Sequence, residues 1–101
     1  MSIEIKDNGF CITLTTQIRE VLWEDIEEIN AYKKDLFTYD LVCIDIILQE
    51  SVITITEEIK GWENFLEAMN KAYALLDKNW YSKITPSPFE TNFTVLYKKA
   101  K

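Results

Sequence analysis

Histidine is absent from the 101 residues, so the side chains able to do chemistry are carboxylates and two thiols. Without an imidazole, serine–histidine and cysteine–histidine nucleophiles lack their base, and histidine-containing zinc sites cannot form. Cys11 and Cys43 are two thiols where an all-thiolate structural zinc site needs four. Gly9 and Gly61 follow no phosphate-loop pattern. Asp40 with Asp45, or Glu57 with Glu58, could share acid–base work or hold a hard cation, yet no calcium-loop spacing surrounds them. These residues point to no catalytic group, no metal and no cofactor. A carboxylate hydrolase is the least favoured of three functional classes.

The charge is more informative than the reactive groups. The net charge of -6 is unevenly spread, because residues 20–67 hold thirteen acids against Lys33, Lys34 and Lys60. Residues 68–101 hold Asp77 and Glu90 against six lysines. Nucleic acid needs a basic stripe that releases counterions, and an anionic membrane surface needs the same, so both are disfavoured. A basic protein partner fits better. The acidic run Glu20, Glu24, Asp25, Glu27 and Glu28 is read as a solvated face or as a docking surface. Together with Trp23, Tyr32 and Tyr39 it makes a candidate contact patch of aromatic anchors with an acidic rim.

The elements that must position these groups are marked by periodicity. Ile3 and Ile5 alternate with Glu4 and Lys6, then Asp7-Asn8-Gly9 forms a tight turn whose Asn and Gly tolerate positive φ. Phe10, Ile12 and Leu14 complete a β-hairpin. Residues 16–38 are ambiguous. Ile18, Val21, Leu22, Ile26 and Ile29 fit helical spacing, whereas alternation favours a strand near 18–22, a helical turn at 23–26 and a strand over 27–34. The second reading is preferred.

After a turn at Asp35–Thr38, strands are expected at 39–48 and 51–56. A helix follows over 61–77, carrying Trp62, Phe65, Leu66, Met69, Tyr73 and Leu76 on one face and ending in a cap at Asp77-Lys78-Asn79. One more helical turn at Trp80–Ile84, a loop at Thr85–Pro88 and a last strand through Phe93, Val95 and Tyr97 complete the pattern, with Ala100 and Lys101 frayed. Asp45 interrupts an apolar strand. It either faces solvent, pairs with Lys33 or Lys34, or is offered to a partner. Cys11 and Cys43 are expected to be small buried hydrophobes in a reducing compartment.

A chain of this length buries roughly 65% of its unfolded surface, enough for one domain over 1–101. No apolar run approaches the roughly 18 residues of a membrane span, and no leader pattern opens the sequence, so a cytoplasmic protein is expected.

The segment from Trp23 to Asp35, with the strand after it, resembles the step between strands of small bacterial pleckstrin-homology-like (PH-like) proteins. Ile53-Thr54-Ile55-Thr56-Glu57-Glu58, with Gly61-Trp62 and Phe65, resembles their strand-to-helix junction. The segment Pro86–Asn92, ending in Leu96-Tyr97, resembles the close of a group of uncharacterised bacterial proteins of this size. The resemblance implies no catalytic residue and no basic phosphoinositide pocket.

The fold expected is α+β: a curved antiparallel sheet of five to seven strands, a PH-like roll, packed by one main helix and followed by a last strand. A non-enzymatic protein-interaction module is the expected function, an immunity or antitoxin-type protein being one concrete form. The alternative is a small-ligand or lipid-binding module using the open sheet face near Cys43 and Ile47. Self-association is left open.

Overall fold

The computed structural model describes residues 1–35, 40–73 and 93–99 of the chain. The first hairpin joins β1 (Ser2–Lys6) to β2 (Gly9–Thr13) across Asp7 and Asn8. Its antiparallel register sets Ile3 opposite Ile12 and Ile5 opposite Phe10, so one face is apolar. A third strand, β3 (Ile18–Leu22), pairs with β2 and brings Val21 beside Phe10. Gly9 serves this sheet differently from the expectation. It has no positive φ, but a Cβ there would run into the Val21 carbonyl on β3. Close approach of two strands, not turn geometry, demands the glycine. Cys11 is another correction. Alternation turns it outward between Glu4 and Glu20, and it is only half-buried, while Cys43 is buried as expected.

The ambiguous stretch resolves as strand, turn and strand. A single 3-10 turn, Trp23–Asp25, leads into β4 (Glu28–Asp35). Ile18 is 68% exposed while Ile26 and Ile29 are fully buried, so the five apolar residues of the helical reading share no face. The pairing partners β2 and β5 (Asp40–Ile47) override local helix propensity. With β6 (Val52–Thr56) and β7 (Thr94–Lys98) these strands form a second antiparallel sheet in the order β6-β5-β4-β7. The described strands therefore form two sheets, of three and four strands, rather than one curved sheet. Ile29, Ala31, Val42, Ile44, Ile46, Ile53 and Ile55 line its inner face and pack against the hairpin's apolar face. The Ile3 amide donates to the Lys60 carbonyl at 2.8 Å and ties β1 to the segment that follows β6.

The helix α1 (Trp62–Ala72) begins after Gly61, whose φ of 96° lies in the left-handed region. A Cβ at Gly61 would also collide with the Ile3 carbonyl oxygen. Trp62, Phe65 and Met69 are buried at the 3- and 4-residue spacing expected of one helical face. Phe65 meets Phe10 edge-on at 5.1 Å and Trp23 at 6.1 Å between ring centroids. The helix stops at Ala72, not at residue 77: Tyr73 is extended, its amide still donating to the Met69 carbonyl. Its ring leaves the helical face to pack on Trp23 and Tyr97, and its hydroxyl donates to the Trp23 carbonyl. The expected features at Leu36–Thr38, Leu76, Asp77–Asn79, Trp80–Ile84, Thr85–Pro88 and Ala100–Lys101 lie outside the described residues. No described helix is long and apolar enough to cross a membrane.

Candidate functional site

Because β3 ends its sheet, one of its two edges has no strand beside it among the described residues. The phase of the ladder identifies the groups on that edge. The Trp23 amide donates to the Asn8 carbonyl at 2.9 Å, and the Leu14 amide to the Gln17 carbonyl at 2.7 Å. In an antiparallel pair these bonds alternate, so Arg19 and Val21 turn their backbone groups toward β2. Ile18, Glu20 and Leu22 turn theirs to the open edge.

That edge borders a cleft of about 690 Å³, walled by Arg19–Leu22 on one side and by Glu27 and the Leu48–Ser51 turn on the other. Asp25 and Lys99 complete its lining. The cleft holds four carboxylates, from Glu20, Asp25, Glu27 and Glu50, against two cations, Arg19 and Lys99. Both cations are already engaged: Arg19 Nη2 donates to Ser51 Oγ at 3.2 Å, and Lys99 Nζ to the Glu24 carbonyl at 2.8 Å. Among the described residues no ion pair reaches the four carboxylates. The local field is negative and open to solvent, which attracts cations and repels phosphate.

The expected contact residues do not form one patch. Glu20, Asp25 and Glu27 line the cleft, with exposed Glu24 beside Asp25 in the 3-10 turn. Trp23 is half-buried and packs on Phe10 at 5.2 Å, so it belongs to the core rather than to an exposed aromatic anchor. Its place follows from Phe65 and Tyr73, which approach it from elements distant in sequence. Glu28 and Tyr32 lie on the outer face of the four-stranded sheet, and Tyr39 lies outside the described residues. The sequence reading missed Arg19, Glu50, Ser51 and Lys99. The Gln49-Glu50-Ser51 turn was visible as a turn, but nothing local says which strand edge it faces.

On that outer face Asp45 is half-buried and accepts from Thr54 Oγ1 at 2.8 Å and from the Tyr32 hydroxyl at 3.2 Å. This replaces the pairing with Lys33 or Lys34. Lys33 aligns with Val42 and points with Ile29 and Ala31 to the inner face, whereas Asp45 aligns with Asn30 on the outer one. Burial first, and the Asp45 carboxylate second, push the Tyr32 hydroxyl up to about 12. It is a neutral donor at ordinary pH and not a nucleophile or base. Asn30, 4% exposed, donates from Nδ2 to Glu28 Oε2 at 2.8 Å, while its Oδ1 has no donor among the described residues. Cys43 is buried and its thiol is pushed up by desolvation first, which keeps it protonated and inert.

Among the described residues no three carboxylate or thiol groups converge as metal ligands. What the cleft can do chemically is bind: it presents backbone donors and acceptors on one wall and carboxylates around them. Comparison of the chain with protein-family models, curated proteins and solved structures finds no match.

Proposed function

We propose that this chain is a non-enzymatic protein-interaction module that seats a basic protein partner in the acidic cleft beside β3. One observation carries the reading: four carboxylates share the cleft without an ion pair among the described residues, and its two cations are tied to Ser51 and to the Glu24 carbonyl. A cationic partner would supply the counter-charge that the lining lacks, and charge complementarity would speed its capture. An immunity or antitoxin-type protein, covering a basic toxin in a bacterial cytoplasm, is the concrete form proposed. The acidic net charge of -6 and the absence of histidine support it. The proposed fold class is a PH-like roll, supported by seven described strands in two packed sheets with one helix against them.

The test compares the wild-type chain with a variant carrying Glu20→Gln, Asp25→Asn, Glu27→Gln and Glu50→Gln, both immobilised and exposed to extract of the native host. Wild type should retain a basic protein at low salt and release it near ~0.5 M, where the Debye length shrinks to a few ångströms. The variant should retain none of it. Its thermal midpoint should stay close to wild type, since Glu20, Asp25 and Glu50 are exposed and half-buried Glu27 has no ion pair among the described residues to lose. Equal retention by both chains would remove the cleft from the function.

A further inference from the structure

We infer that the occupant of the cleft is an extended basic segment that joins the three-stranded sheet as a fourth strand along β3. The inference rests on the proposed binding role and specifies the backbone form of the partner. Ile18, Glu20 and Leu22 each direct a donor and an acceptor to the open edge, in a row of about 13 Å at ordinary strand rise, and Glu20 and Leu22 line the cleft. Such a row is a template for another strand.

Proteins usually blunt an open edge with a proline, a bulge or an overlying element. Here β3 has no proline, its register with β2 is unbroken, and among the described residues no element overlies the edge where it borders the cleft. Arg19 shares the face of Val21 and reaches across to Ser51 on the facing wall, so this bond bounds the inner side of the space that the new strand would fill.

Charge selects the sequence of the added strand. Glu20 projects from β3 itself, while Asp25, Glu27 and Glu50 stand around the space that the new strand would fill. A second copy of this chain, pairing antiparallel over the full length of β3, would bring Glu20 against Glu20, and like charges directly opposite destabilise a strand pair. Lysine or arginine at alternate positions would instead meet carboxylates while the backbones pair. Binding would then need both the cations and one edge of the ligand's amide groups.

The experiment uses a short end-blocked peptide alternating lysine with threonine, and two derivatives N-methylated at one or the other alternate set of residues. All three carry the same charge. Titrated against the intact chain at low salt, the parent should bind and one methylated derivative should bind nearly as well. The other should bind at least about tenfold more weakly, because its blocked amides are those that face β3. The variant Ile18→Pro should weaken the parent peptide several-fold with no change of charge; its lost N–H faces the open edge, so no ladder bond breaks. Equal affinities for the two methylated derivatives would overturn strand addition and leave charge-driven capture standing. Failure of the parent peptide itself to bind would overturn both this inference and the binding role beneath it.

Discussion

Replacing Phe65 by alanine removes the ring at which the helix and the three-stranded sheet meet. Phe65 is fully buried, and its ring stands 5.1 Å from Phe10 and 6.1 Å from Trp23. The lost transfer energy and the residual cavity cost about 3–5 kcal/mol. Two aromatic neighbours, each worth about 0.5–1.5 kcal/mol beyond area, push the cost toward the upper end. For a domain of this size 1 kcal/mol moves the thermal midpoint by about 4–8 °C, so a fall of about 12–40 °C is expected. Glu63→Ala, on the exposed side of the same helix turn, should stay within about 0.5 kcal/mol of wild type. Thermal unfolding followed by circular dichroism on the two variants in parallel measures both. Equal shifts would mean that the helix does not turn Phe65 inward, and the register of the whole core would be refuted.

Gly61→Ala should cost about 1–3 kcal/mol from the left-handed φ alone, with the Ile3 carbonyl adding to it; a denaturation midpoint equal to wild type would contradict that geometry. Tyr32 makes a pH-dependent contribution. Its hydroxyl holds its proton to about 12 in the folded state against an ordinary 10.0, so the folded protein keeps a proton that the unfolded chain has lost. Its stabilisation is therefore complete below pH 10.0 and disappears as the pH rises toward about 12. Tyr32→Phe should flatten this alkaline decline without abolishing it, because burial raises Tyr73 in the same direction. Superimposable stability–pH curves for wild type and Tyr32→Phe would contradict the assignment.

Elements with a strong local period could be read directly. Ile3 and Ile5 against Phe10 and Ile12, the alternation of Ile53 and Ile55, and Trp62, Phe65 and Met69 at helical spacing each carry their own partner pattern. The expected turn and strand at 23–34 appear within a residue or two, since β5 supplies the pairing that alternation alone only suggested. Three readings failed for one reason, namely contact with something distant in the chain. Gly9 is needed by Val21 on the next strand, Trp23 is drawn inward by Phe65 and Tyr73, and Tyr73 leaves the helix for Trp23 and Tyr97. The cleft was half legible. Glu20, Asp25 and Glu27 stood out as an acidic run, but Glu50 and Lys99 reach it only through the order of strands in the second sheet.

Backbone amide mapping by NMR, with the lysine–threonine peptide titrated into isotope-labelled chain, tests the location of binding most directly. Shifts confined to Ile18–Leu22, Asp25–Glu27 and Leu48–Ser51, and fading as salt is raised, are the result predicted for a basic ligand in the cleft. Shifts centred instead on Tyr32, Asp45 and Thr54, or no shifts at all, would contradict it.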